Sequence, residues 1–222
     1  MSSAKDRADA GLPTAMAAGS YVAIGTSHGF VLVFDGNQTL KYSLGGPSIG
    51  RECGSVSCLA FDQNIDEGPT RLLAGFAKGH LLEYDLTTGK LLRKLEDAHP
   101  LDSAIIRARF THEKALALVC DSGGSVFEIS LRKTLGVRSY SSRCIFSGSR
   151  GEVCTFEPLN QAQNQLATER IIVALATISK VIGNFISKLL WKSCENNTIS
   201  TLNCSPNNKA NHEGIIHSSL DW

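Results

Sequence analysis

No run of apolar residues in this sequence is long and clean enough to cross a bilayer as a helix. The most apolar stretch, Ile171–Trp191, is interrupted by Lys180, Asn184 and Lys188, and a lysine at mid-bilayer costs about 3 kcal/mol. The charged start, Met1-Ser-Ser-Ala-Lys-Asp-Arg7, has no apolar block behind it, as a secretory signal would require. Charge of one sign is also lacking. With 22 Lys and Arg against 21 Asp and Glu the net charge is +1, so no global field favours nucleic acid or an anionic membrane. Cysteine spacing of the C-x-x-C kind is absent among Cys53, Cys58, Cys120, Cys144, Cys154, Cys194 and Cys204. An odd set without a secretory signal reads as reduced thiols, most of them small core hydrophobes, in a cytosolic protein. The histidines and cysteines show no finger-like spacing, so no metal site is expected. Gly45-Gly-Pro-Ser-Ile-Gly50 lacks the Lys-Ser/Thr ending of a phosphate loop, and its proline removes a donor, so it reads as a plain loop. No nucleophile signature surrounds Cys58 or Cys120, and Cys120-Asp-Ser reads as the entry to a turn. No catalytic residue and no cofactor are expected.

What the chain does have is a recurring hairpin. Gly25-Thr-Ser-His-Gly-Phe-Val-Leu-Val-Phe-Asp35 returns as Gly75-Phe-Ala-Lys-Gly-His-Leu-Leu-Glu-Tyr-Asp85, and more loosely as Cys120-Asp-Ser-Gly-Gly-Ser-Val-Phe-Glu-Ile129. Apolar runs precede Gly25 and Gly75, so each copy reads as strand, tight turn, strand. Gly29, Gly79 and Gly124 sit in the turns, where a positive φ suits glycine. Asp35 and Asp85 close the second strands and read as turn caps through their side-chain oxygens.

Further alternating segments fill the spaces between copies: Leu40–Leu44, Val56–Phe61, Leu91–Leu95, Ile105–Phe110, Val137–Phe146 and Val153–Phe156. Four short strands in roughly 45 residues match one blade of a WD-style propeller. Such blades need neighbours, since neither apolar face can be buried alone. The fold class expected is all-β: a partial WD-like propeller of three to four blades with an irregular or helical C-terminal tail. The division expected is a flexible leader over 1–18, the partial propeller over 19–183, and a divergent tail over 184–222, helical and then disordered. The stripe Ile171, Leu175, Ile178, Ile182, Phe185 and Leu189 supports an amphipathic helix, although Ile171–Ile178 also reads as a buried strand.

Several strings together carry a family resemblance. They are Asp9-Ala-Gly-Leu-Pro-Thr-Ala-Met16, Ala23-Ile-Gly-Thr-Ser-His-Gly29, Leu73-Ala-Gly-Phe-Ala-Lys-Gly79, Thr88-Gly-Lys-Leu-Leu-Arg93, Asp97-Ala-His-Pro100, Asp121-Ser-Gly-Gly-Ser-Val-Phe-Glu128, Gly136-Val-Arg138 and Ser142–Cys154. In order, from about Asp9 to about Gly183, the chain resembles the amino-terminal propellers of the vacuolar protein sorting-associated protein 8 family, the distinctive subunits of the CORVET endosomal tethering complex. The resemblance implies a non-enzymatic scaffold that meets the other CORVET subunits and a Rab-family GTPase. It would sit in the cytoplasm and on early or late endosomal membranes, held there through the complex. The family's helical solenoid and RING-type module do not occur here, so the chain reads as a fragment, a short splice product or a mispredicted gene model. Competing expectations are an unrelated WD-repeat adaptor such as a ubiquitin-ligase substrate receptor, an enzyme using a central Cys or His, and a truncated product with no independent function.

Within that frame His99, in Asp97-Ala-His-Pro100, looks like the Gly-His pair that opens WD blades, where the imidazole makes a buried structural hydrogen bond. His28 and His80 flank the turn glycines on opposite sides and read as exposed or half-exposed. Two basic clusters stand out, Arg107/Arg109/Lys114 and Arg132/Lys133/Arg138/Arg143/Arg150. Each reads as a solvated face, or as a patch for an anionic lipid headgroup or an acidic partner. The Phe-Arg-Arg-Gly string of phosphoinositide-binding propellers is absent. The connections favoured for partners are Asp62–Thr70, Asp97–Asp102 and Leu135–Ser142.

Overall fold

Alternation of apolar and polar residues places every second side chain of these segments on one face, and each strand then pairs with the one before it. The computed structural model of the protein describes residues 9–62, 70–111, 115–159, 170–178 and 181–187. Four antiparallel sheets follow one another along the chain. The first holds β1 (Pro13–Ala18), β2 (Val22–Thr26), β3 (Phe30–Phe34) and β4 (Leu40–Gly45). The second holds β5 (Val56–Phe61), β6 (Arg71–Phe76), β7 (Leu81–Asp85) and β8 (Lys90–Leu95). The third holds β9 (Ile105–Phe110), β10 (Leu116–Asp121), β11 (Val126–Thr134) and β12 (Val137–Phe146), and the fourth β13 (Val153–Leu159), β14 (Arg170–Thr177) and β15 (Val181–Ser187). In each, strands lie in chain order, so each sheet is a meander. The architecture is a partial β-propeller.

The sheets stack in sequence through their first strands: β1 against β5, β5 against β9, β9 against β13. Each junction is an apolar core. Ala23, Val31, Val33 and Leu44 meet Val56, Leu72, Ala74 and Phe76 at the first. Leu73, Leu81 and Leu95 meet Ile105, Ala117 and Ile129 at the second. Leu118, Cys120 and Val126 meet Phe156, Val173 and Leu175 at the third. Each fully buried Leu, Ile or Phe contributes about 1.5–3 kcal/mol, so these junctions are what hold one small sheet to the next.

Four readings change. Pro13–Ala18, expected inside a flexible leader, is β1, because Ala15 and Ala17 are small enough to pack into the first junction. Gly45–Gly50, expected as a loop, runs into a short helix, α1 (Pro47–Cys53), with the proline in its first turn and Cys53 buried. Of the two readings of Ile171–Trp191, the helical stripe gives way and the strand reading of Ile171–Ile178 holds: the described residues form the β14–β15 hairpin. β15 crosses the boundary at 183 and makes 184–187 strand rather than helical tail. Val173 and Leu175 are buried against the third sheet, and that packing overrides the helical stripe. Leu135–Ser142 is not a loop: Leu135 and Gly136 form a two-residue turn and β12 starts at Val137. Most of the Asp62–Thr70 connection and the tail beyond 187 lie outside the described residues.

Candidate interaction surface

The hairpin repeat turns out to be a repeat of joints between sheets. Gly29, Gly79 and Gly124 have φ of 79°, 89° and 73°, the left-handed region that favours glycine. The carbonyl of each is then taken up by the connection leading to the following sheet. Gly46 N–H donates to Gly29 O at 3.2 Å, and Val153 N–H donates to Gly124 O at 3.1 Å. At the middle joint a side chain takes this role: His99 Nε2 donates to Gly79 O at 2.7 Å. His99 is buried, tilts its ring against Phe127, and faces Asp121 Oδ2 with Nδ1 at 4.0 Å. The donation to a carbonyl requires the proton on Nε2. Burial lowers the His99 pKa, with the Gly79 bond and the Asp121 charge acting the other way. The ring is therefore a neutral structural pin.

Gly25 and Gly75 have a different reason for being glycine. They lie within β2 and β6, paired with Val31 and Leu81. A Cβ on Gly25 would stand 2.4 Å from Val56 Cγ1, and one on Gly75 would stand 2.7 Å from Ile105 Cβ. Cys120 occupies the equivalent place in β10, paired with Val126, and its thiol donates to Val153 O at 3.3 Å. Opposite these positions, and opposite Ala176 in β14, each first strand carries one extra residue, at Thr14, Ser57, Ile106 and Cys154. Two of these bulged residues reach the next sheet: Thr14 Oγ1 donates to Val56 O, and Ser57 Oγ donates to Ile105 O, both at 2.6 Å. The bulges escape sequence reading because the extra residue is polar in one blade and apolar in another.

At the opposite end of the strands, Asp35 Oδ1 accepts from the Asn37 and Thr39 N–H groups at 2.9 Å. Asp85 Oδ1 accepts from Thr87 N and Oγ1 at 2.8 and 2.6 Å, and its Oδ2 accepts from Thr88 Oγ1 at 2.8 Å. Partial burial raises the Asp85 pKa, but the Thr87 and Thr88 hydrogen bonds outweigh it and leave the carboxyl below its ordinary value. His28 is exposed, with Nδ1 2.9 Å from Asp9 O, and His80 is half-buried.

One charged cluster lies between sheets and was not legible in the sequence. Glu83 is 0% exposed. Its carboxylate pairs with Arg71 Nη1 at 3.2 Å and Arg93 Nε at 2.5 Å. Arg71 also meets Asp62 at 3.2 Å and lies over the Phe110 ring of the third sheet, 4.9 Å from its centroid. Arg93 Nη1 donates to the carbonyls of Arg132 (3.2 Å) and Ser139 (2.6 Å), bracing the β11–β12 hairpin from the second sheet. Burial lowers the Arg93 pKa; Glu83 opposes this, while Arg138 and Arg71 add to it.

The basic clusters separate accordingly. Arg107 and Arg109 pair with Glu157 of the fourth sheet at 2.9 and 3.4 Å, so they serve a joint rather than an open patch. Lys114 lies outside the described residues. Arg143 pairs with Glu128 at 2.7 Å. Arg132 and Arg138 are exposed beside the turn of the β11–β12 hairpin. The Asp97–Asp102 connection is partly spent on structure: Tyr140 Oη donates to Asp97, Ser142 Oγ donates to Ala98 O, and Asp102 N–H donates to Lys78 O at 3.2 Å.

Chemistry is suppressed at the buried thiols. Burial pushes the Cys58 and Cys120 thiols up to about 12, so almost no thiolate exists at neutral pH. Cys53 is also buried and its pKa raised, whereas Cys144 and Cys154 are exposed. Among the described residues no group of three or more His, Cys, Asp or Glu is placed to hold a metal ion, and no helix is long and apolar enough to cross a membrane. The arrangement suits recognition, with loops and one projecting hairpin carried on a braced frame.

Comparison with known proteins places these features. A family model described as "Vps8 beta-propeller" matches residues 1–189. The chain is 46% identical over 194 residues to the mouse (Mus musculus) vacuolar protein sorting-associated protein 8 homolog, a match taking in 85% of this chain and 13% of that protein. The human (Homo sapiens) homolog is 46% identical over 196 residues, with the same coverages. The Drosophila melanogaster homolog is 44% identical over 183 residues, 81% of this chain and 14% of that protein. The chain thus spans only a small part of the length of these relatives. Among solved structures, the Cps50 (Swd1) beta-propeller domain of Myceliophteria thermophila aligns with a TM-score of 0.53 at 13% identity, over 81% of this chain and 53% of that one. Saccharomyces cerevisiae Sqt1 aligns at 0.52 and 16% identity, over 71% of this chain and 38% of that one. At such identities the two structures speak for the fold alone.

Proposed function

Because this chain belongs to the Vps8 β-propeller family, we propose that it is a non-enzymatic interaction module for protein sorting to the vacuole or lysosome, acting within a vesicle-tethering assembly on endosomes. The family match across residues 1–189 carries this reading. The finer assignment is membership of CORVET, contact with its other subunits, and engagement of a Rab-family GTPase at the endosomal surface. Two features support a scaffold over an enzyme. The cysteines best placed between sheets are held as neutral thiols. The histidine at the middle joint is committed to a backbone carbonyl.

The test is co-purification. The 222-residue chain, tagged and expressed in cells, should recover the remaining CORVET subunits, and in vitro it should bind an endosomal Rab-family GTPase better in the GTP-loaded than in the GDP-loaded form. Recovery of ubiquitin-ligase subunits instead would replace the tethering reading with that of an adaptor. A folded chain that recovers neither would leave the product without an independent role.

A further inference from the structure

We propose that the β11–β12 hairpin is a membrane-docking finger that sets Leu135 and Val137 into the surface of an anionic phospholipid bilayer. The hairpin is the odd one of its kind. β3 and β7, the equivalent third strands, are five residues long, while β11 has nine. At about 3.3 Å per residue the extra length carries the tip roughly 13 Å beyond its counterparts. At the apex Leu135 is 100% exposed and Val137 is 69% exposed.

The local chemistry works against this tip being a mere connection. Leu135 and Gly136 have φ of 49° and 85°, the pair of positive values used by a type I′ turn. Asparagine or aspartate is favoured at the first of these positions, and a leucine resists it. An apolar residue at a strained, solvent-facing apex is explained by a surface that takes it up. From Ile129 to Ser142 there is no Asp or Glu, while Arg132, Lys133 and Arg138 are basic. These cations stand one to three residues behind the apolar apex. That layering matches an anionic interface, with acyl boundary at the apex and headgroups behind it. A convex tip with two apolar side chains presents little area to a protein pocket. The base of the finger is held rigid: Arg93 donates to the Arg132 and Ser139 carbonyls, and Tyr140 packs on the second core while donating to Asp97.

This inference concerns the chain and lipid alone and does not depend on the tethering reading. It is tested by flotation of the 222-residue chain with phosphatidylcholine vesicles, with and without phosphatidylserine. The native chain should float with the phosphatidylserine vesicles only, and less so as salt is raised. Leu135→Asn restores the favoured Asn-Gly turn, so the variant should melt no lower than the native chain, yet its partitioning should fall about tenfold with the loss of leucine burial. The double change R132Q/R138Q should also cut partitioning by about tenfold or more, at about fivefold per cation, and remove most of the salt dependence. A native chain that stays unbound to phosphatidylserine vesicles overturns the proposal. So does an L135N chain that floats as well as the native one.

Discussion

Gly75 and Ile105 touch across the second junction with no space for a side chain between them: a Cβ on the glycine would lie 2.7 Å from both Cβ and Cγ2 of the isoleucine, and 2.6 Å from Cys58 Sγ. The glycine is in a strand without a positive φ, so what it supplies is closeness. It lets β6 and β9 approach while Ser57 pins the Ile105 carbonyl. Substitution G75V should lower stability by about 1–3 kcal/mol through overpacking. Gly36 offers a control, since a Cβ there meets nothing within 4 Å. G36A should stay within about 0.5 kcal/mol of the native chain. Urea unfolding of both variants checks the pair, and equal midpoints would mean that the junction can open to admit valine.

His99 predicts a pH dependence. Burial lowers its folded-state pKa beneath the ordinary value of 6.5. The unfolded chain therefore binds more protons than the folded one as the pH drops through that value. The neutral ring's contribution is complete above about 6.5 and is lost as pH falls from there toward the lowered folded value. Melting temperatures taken from about pH 8 down to about pH 5 should fall more steeply for the native chain than for H99Q. At the upper end H99A should be less stable by about 1–3 kcal/mol, because the Gly79 carbonyl loses its donor.

The buried carboxylate of Glu83 makes a third prediction. Removing its charge with E83Q leaves two arginines facing each other at the second junction, and breaking a buried pair of this kind costs about 3–5 kcal/mol. The double change E83L/R93M should recover part of the loss, since the buried charges of the pair go together while Arg71 keeps Asp62, and the Arg132 and Ser139 carbonyls lose their donor. Denaturation midpoints of the single and double variants decide it. An E83Q midpoint equal to that of the native chain would show that water already screens the cluster.

Thiol labelling separates the cysteines. Cys144 and Cys154 are exposed, whereas Cys58 and Cys120 are buried with thiols held at about 12. Brief alkylation at neutral pH followed by peptide mass analysis should mark Cys144 and Cys154 and leave Cys58 and Cys120 unmodified until denaturant is added. Rapid native-state labelling of Cys58 or Cys120 would reveal opening of the sheet junctions.

The repeated strand, turn and strand around Gly29, Gly79 and Gly124 was written into the sequence, because period-two alternation and a positive-φ turn are local properties. β5 and β9 could be read to the residue from their apolar pattern. Packing against a distant segment decided the rest. Ile171–Ser187 carries a helical stripe, yet Val173 and Leu175 are claimed by the third sheet, and strands buried in this way no longer alternate. Gly25 and Gly75 gave no sign that a residue thirty positions onward would press on their missing side chains. Nothing in the residues beside Glu83 marks it as a buried charge; Arg71 and Arg93 close around it only in the fold. Short-range order follows from the chemistry of adjacent residues. Which sheet meets which, and which charge is shut between them, follows only when the whole chain has found its neighbours.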